Sequence, residues 1–92
     1  MALALRAMGK EATVVTDAIP PVFLQPFPGV SDIHITPEVT ETFDAALIME
    51  CSDLSRTGVR GLDRSPVMNI DHHPGNKVYG AVNWIDESAA AC

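Results

Sequence analysis

Apolar residues in this chain fall in short blocks separated by polar, glycine-bearing and proline-rich stretches. Ala2-Leu3-Ala4-Leu5-Arg6-Ala7-Met8 gathers strong helix formers and stops at Gly9, a usual residue just past a helix end, which predicts a helix. No Ser, Thr, Asp or Asn caps its first turn, and so short a helix is marginal unless packed; it reads as the tail of a helix whose start is missing. Ala12-Thr13-Val14-Val15-Thr16 is a β-branched run that predicts a strand, after which Asp17, Pro20, Pro21, Pro26, Pro28 and Gly29 mark a long irregular connection. Ile33-His34-Ile35 suits a brief extended piece, and residues 36–43 fit a helical turn or a loop equally.

Residues 44–50, Asp44-Ala45-Ala46-Leu47-Ile48-Met49-Glu50, form an apolar segment closing on an acid, the profile of a strand buried on both faces of a parallel sheet. Residues 52–65 carry charges together with Gly58 and Gly61, as a solvent-facing connection would. Val67-Met68-Asn69-Ile70 predicts the next buried strand, and Val78-Tyr79-Gly80-Ala81-Val82 a further extended piece. Asp86-Glu87-Ser88 ahead of Ala89-Ala90-Ala91 has the form of a capped helix start. The alternation implies an α/β layer architecture with a mostly parallel sheet, in one domain without internal repeats.

Composition narrows the function classes. A chain of 92 residues buries only about 60 to 65% of the surface its unfolded form exposes, so its core is modest. Twelve acidic against six basic residues give a net charge of −6, the wrong sign for gripping a nucleic-acid backbone through a basic surface. A bound phosphate would need positive charge from elsewhere, and metal ions are often the largest local charges in a site. Cys51 and Cys92 show no C-x-x-C spacing and no secretory leader accompanies them, which predicts reduced thiols and a cytoplasmic protein. The apolar residues 1–8 are far too short for a membrane span.

Asp71-His72-His73 follows directly on the strand predicted at residues 67–70. One carboxylate and two imidazoles are thus delivered together at a strand's C-terminal end, where an open α/β sheet carries its chemistry. Hard oxygen and borderline nitrogen donors suit Mn²⁺ or a similar divalent ion better than a thiolate-selecting one. The preceding buried strand ends in Glu50, so two strands finishing side by side would bring Glu50 and His72 to one edge. On residues alone, the tripeptide also fits a cap and turn whose side chains satisfy loop backbone. His34, a lone imidazole in an extended piece, reads as a surface residue. Arg56 and Arg60 read as members of a solvated connection, with phosphate contact through the forked guanidinium as the alternative. Asn76 and Asn83 tie down loops or touch a ligand, and Trp84, lacking basic neighbours, reads as a core anchor rather than a base-stacking platform.

Asn69-Ile70-Asp71-His72-His73-Pro74-Gly75-Asn76, continuing through Tyr79-Gly80, Asn83-Trp84 and Asp86 to Ala89-Ala90-Ala91, resembles the third signature block of the DHH phosphoesterases, most closely the RecJ-like branch of nanoRNase and pAp phosphatase enzymes. Glu50-Cys51-Ser52-Asp53-Leu54-Ser55-Arg56-Thr57-Gly58 is similar to the second block, and Asp17-Ala18-Ile19-Pro20 matches the exit of the family's second strand. The resemblance implies a partial doubly wound, mostly parallel sheet: an incomplete DHH domain over residues 1–92, lacking the first strand and its motif, the fourth motif and the C-terminal substrate-binding domain. In the common order 2-1-3-4-5 the absent strand would lie between those holding Val14 and Leu47, leaving unpaired edges. An isolated chain of that kind is expected to be marginally stable and nearly inactive.

The same resemblance implies a pair of Mn²⁺ ions, with Mg²⁺ as the alternative, activating water for attack on a phosphoester. The expected substrates are short oligoribonucleotides or 3′-phosphorylated adenosine nucleotides, with no membrane and no duplex nucleic acid as partner. Carried onto this chain, His72 is a metal ligand, Asp71 the neighbour that orients it, and His73 a group near the scissile phosphate. Where an aspartate bridging both metals is usual, Glu50 stands here, the same charge on a longer arm, with Asp53 as the alternative. Two other readings remain: a non-catalytic truncated product that at most binds a divalent ion weakly through His72 and Glu50, and part of a cyclic-dinucleotide phosphodiesterase.

Overall fold

In the computed structural model, which describes residues 1–92, every paired strand runs parallel to its neighbour, as the α/β reading requires. The chain divides into two units, Met1–Pro37 and Glu38–Cys92. No helix is long and apolar enough to cross a membrane.

In the first unit the predicted helix forms as α1 (Ala2–Ala7), closed by Met8 with no side-chain cap at its start. The Arg6 guanidinium donates from Nε and Nη2 to the Ala12 carbonyl at 2.9 and 2.6 Å, tying the helix to the segment that follows. Only Val15–Thr16 of the predicted run 12–16 is strand, here β1, which pairs with β2 (His34–Ile35). The proline-broken stretch between them makes two single 3₁₀ turns, Val22–Leu24 and Val30–Asp32. Its large side chains Ile19, Val22, Phe23 and Phe27 are exposed, and no residue of this unit belongs to the buried apolar core.

The second unit holds β3 (Ala46–Met49), β4 (Val67–Asp71) and β5 (Val82–Ile85) in the order β3-β4-β5. The register Ile48↔Asn69↔Asn83 puts Ile48, Val67, Asn69 and Asp71 on one face, and these four are buried. On the opposite face the rows Leu47↔Met68↔Val82 and Met49↔Ile70↔Trp84 line up apolar side chains that nothing fully buries. Two expectations are corrected by that face. The segment ending at Glu50 is not buried on both sides, since Leu47 is exposed; and Trp84, on the outward row of β5, is 69% exposed and anchors no core. A parallel strand is buried on both sides only when elements pack on both sheet faces.

The extended piece expected at 78–82 also lies later. Val78 adopts a left-handed φ of 50° and Asn83 clasps Gly80 at both its N–H and its carbonyl (2.9 and 2.7 Å); the strand itself starts at Val82, after the Ala81 N–H has met the Val67 carbonyl of β4 at 2.8 Å. Residues 52–65 fold into 3₁₀ turns at Leu54–Thr57 and Leu62–Arg64, yet they supply Val59 and Ser65 to the interior. Val59 joins Ile48 and Val67 as the buried hydrophobic residues of the whole chain. Gly61 sits at φ +81° where an added Cβ would lie 2.1 Å from the Val39 carbonyl oxygen, beside the Glu38↔Arg60 bridge. Residues 86–89 make a turn in which Asp86 accepts from the Ser88 N–H and hydroxyl (3.0 and 2.6 Å).

Candidate metal centre

The ladder between β3 and β4 runs one residue past the strand, through the Glu50 N–H to the Ile70 carbonyl at 3.1 Å. Glu50 then turns left-handed at φ 57°, a backbone region unfavourable for a residue with a Cβ and concentrated at functional sites. The side chain it redirects meets the residue that follows β4: Glu50 Oε2 lies 3.0 Å from His72 Nε2 and 3.9 Å from His73 Nδ1. The Glu50 carboxyl is held below its ordinary range, first by the Cys92 N–H on Oε1 at 2.7 Å and further by the two imidazoles.

His72 and His73 are held differently. His72 Nδ1 is 2.9 Å from the Ala89 carbonyl oxygen, which can only accept, so that nitrogen carries the proton. The Ala89 contact is the main cause of a raised His72 pKa; burial opposes it and Glu50 reinforces it. Its Nε2 therefore faces Glu50 either as a bare lone pair opposite another acceptor or with a proton between them. Only positive charge satisfies that spacing.

His73 Nδ1 instead donates to Asp71 Oδ1 at 2.6 Å, which commits that nitrogen and leaves Nε2 free on a side chain that is 46% exposed. Asp71 is 2% exposed and fully partnered: Oδ1 also accepts the His72 and His73 backbone N–H groups (2.8 and 3.2 Å), and Oδ2 accepts Asn76 Nδ2 at 2.7 Å. Burial alone would push this carboxyl up, but those donors outweigh it and hold it far below the usual carboxylate range. The expectation that Asp71 orients the His72 ring is thereby corrected. Its carboxylate orients the His73 ring and the loop backbone, whereas the Ala89 carbonyl orients His72.

Below this cluster lies a polar network in the buried face of β4. Asn69, 1% exposed, donates from Nδ2 to the Tyr79 hydroxyl (2.8 Å) and the Cys51 carbonyl (3.2 Å), with Ile48 O at 3.4 Å, and accepts from Asn76 Nδ2 at 2.8 Å. The Tyr79 hydroxyl donates onward to Cys51 O at 2.7 Å, and burial, followed by the neighbouring Cys51 and Asp71, lifts its pKa to about 12. Every buried side-chain polar atom has a partner.

Two groups of donor atoms could each hold a cation: Glu50 with His72 and His73, and Glu50 with Asp71 and Cys92. Glu50 is common to both. The donor chemistry fits a divalent ion best at Glu50 and His72 Nε2, because His73 Nδ1 and both Asp71 oxygens are already spent on hydrogen bonds and the Cys92 thiol, its pKa raised chiefly by burial, donates to Ile70 O at 3.3 Å.

The remaining sequence candidates lie elsewhere in their bonding. Asp53 caps the Leu54–Thr57 turn through the Ser55 N–H (3.0 Å) and pairs with Lys77, and these donors, Lys77 first, lower its pKa to about 2. Arg56 reaches Ser52 Oγ at 3.2 Å, Arg60 pairs with Glu38 at 3.7 Å, and His34 is exposed on β2. Asn83 ties its own loop. Sequence reasoning does not find the Ala89 carbonyl, the Cys92 N–H, or the Asn69–Tyr79 pair. A backbone group leaves no composition signal, but an Asn in the middle of an apolar strand is a buried polar residue that demands partners.

Over 70 residues the chain is 33% identical to the bifunctional oligoribonuclease and PAP phosphatase NrnA of Bacillus subtilis (strain 168), a match covering 72% of this chain. The chain spans about a fifth, 22%, of the length of that curated relative. No protein-family model matches it. The likeness read from the motif blocks thus stands as a distant, partial relation to an oligoribonuclease and PAP phosphatase of DHH type.

Proposed function

We propose that residues 1–92 form an incomplete DHH domain, part of the metal-binding half of a phosphoesterase that hydrolyses short oligoribonucleotides or 3′-phosphorylated adenosine nucleotides. The observation that carries this reading is the Glu50 carboxylate 3.0 Å from the Nε2 of a ring whose Nδ1 proton is taken by Ala89. A ligating imidazole is ordinarily fixed in this way, its second nitrogen donating to a carbonyl or carboxylate. The relation to the oligoribonuclease and PAP phosphatase supports the substrate class.

His72 and Glu50 would hold a divalent ion, Mn²⁺ or a similar one suiting an oxygen and nitrogen donor set better than a thiolate-selecting ion does. When bound, such an ion supplies Lewis acidity toward a phosphoryl oxygen and acidifies water. The chain's own residues do the rest. In a protein of net charge −6, the cluster becomes attractive to a phosphate only once neutralised. His73, its Nδ1 proton held by Asp71, presents Nε2 toward solvent as an atom that can accept a proton from water or a hydrogen bond from substrate.

Titration of Mn²⁺ into the purified chain tests the reading. Saturable binding is expected, weakened roughly tenfold or more by Glu50→Gln and by His72→Ala. An absence of binding, or binding indifferent to both substitutions, refutes it. With Mn²⁺ present, comparing a short oligoribonucleotide, 3′-phosphoadenosine 5′-phosphate and a cyclic dinucleotide as substrates separates the substrate readings.

A further inference from the structure

The geometry points to Asn76 as a positioning residue that holds the Asp71 carboxylate in the orientation that meets His73, and through it the proton position on the His73 ring. This rests on the reading of the Asp-His-His cluster as the working site. The Asn76 amide has two protons, and the structure uses both at short range: one on Asn69 Oδ1 at 2.8 Å and one on Asp71 Oδ2 at 2.7 Å. Its carbonyl oxygen accepts the Val78 N–H at 2.7 Å, bracing the left-handed turn at Val78 that leads into Tyr79. A β-branched residue in that backbone region is strained unless its surroundings hold it.

The consequence runs through a buried carboxylate. With Oδ2 taken by Asn76, Asp71 has Oδ1 left for the His73 ring and the two backbone N–H groups, and the carboxylate cannot rotate without abandoning a buried donor. Asn69 in turn fixes which way the Asn76 amide points, because Asn69 Nδ2 faces three acceptors and so leaves only its oxygen for Asn76. The chain Asn69, Asn76, Asp71, His73 is therefore an ordered series of donors and acceptors with one consistent direction. Its output is a His73 ring protonated at Nδ1 with Nε2 bare. Free imidazole in water has no such fixed assignment, so the arrangement converts a flexible side chain into an acceptor of defined orientation.

Nitrogen-15 NMR of the three histidine rings in the whole chain, without metal or substrate and at about pH 8.5, above the ordinary imidazole range, reads this directly. In the unaltered chain His72 and His73 are both expected as Nδ1–H tautomers. Asn76→Asp keeps the shape and the Val78 contact but sets a carboxylate against Asp71, and His73 should then lose its Nδ1–H assignment while His72, held by Ala89, keeps it. Should Asn76→Asp disturb both rings, Asn76→Ser, which retains one small donor, is read the same way. A His73 tautomer unchanged in Asn76→Asp overturns the proposal, as does loss of both ring assignments in Asn76→Ser, which would make Asn76 a structural pin only. Because no ion is used, failure of Mn²⁺ binding would sink the functional reading and leave this result standing.

Discussion

Replacing Asn69 tests the buried polar network most sharply, because three substitutions predict three different outcomes. Asn69 makes short bonds to Tyr79 Oη (2.8 Å), Cys51 O (3.2 Å) and Asn76 Nδ2 (2.8 Å). At a net value of about 1 kcal/mol each, Asn69→Ala removes roughly 3 kcal/mol. Asn69→Leu loses the same bonds but regains about 2 kcal/mol from a buried apolar side chain, for a net cost of roughly 1 kcal/mol. Asn69→Asp is the closest in shape and the worst: a carboxylate facing the acceptors of Cys51 and Ile48 is an uncompensated buried charge, costing about 3 to 5 kcal/mol. A domain of this length has about 5 to 15 kcal/mol in total, and one whose buried apolar core is Ile48, Val59 and Val67 lies at the low end, so the Asp variant keeps at most about 2 kcal/mol. Urea unfolding followed by far-ultraviolet circular dichroism gives the three midpoints. An Asp variant as stable as the Leu variant would mean that the Asn69 amide does not face those carbonyls, and the network as described would be wrong.

Other outcomes follow from single groups. Tyr79→Phe removes the donor to Cys51 O and lowers stability by about 1 kcal/mol in the same urea assay. Tyr79 is the chain's single tyrosine and its pKa is raised to about 12, so the folded state keeps a proton that the unfolded state loses near pH 10. Stability therefore falls as pH rises from about 10 toward about 12, and ultraviolet absorbance should show no phenolate near the ordinary midpoint while the chain stays folded. Asp53 is shifted the other way, to about 2, mainly by Lys77; its contribution is present above the unfolded value near 3.8 and is lost as pH falls toward about 2. Lys77→Met should move the Asp53 carboxyl resonance midpoint upward, and an unmoved midpoint would dissociate the two residues. Trp84, the single tryptophan, should emit with a solvent-like spectrum and quench readily, and Trp84→Ala should change stability by about 0.5 kcal/mol or less.

Much of the site is legible in the amino-acid sequence, because its parts are local. Strand ends at Glu50 and at Asp71 follow from apolar runs closing on polar residues, and parallel pairing of such runs puts their C-terminal ends side by side. Which group holds which is not legible there. Asp71 and His72 are adjacent in sequence, which suggests that the carboxylate serves that ring, but it turns to His73 while a carbonyl 17 residues on takes His72.

Exposure escapes the sequence for the same reason. The composition of residues 44–50 and of Trp84 says only that they suit burial; whether the face they share is covered depends on what packs there, and here the rows of Leu47 and Trp84 stay open while Asn69 and Asp71 lie buried on the other side. Alternation along a strand is a property of a few consecutive residues and survives in the bare sequence. The choice of covered face, the hydrogen-bond direction through Asn69 and Asn76, and the left-handed turn at Glu50 arise from contacts between distant segments, whose energies exist only once the chain has closed on itself.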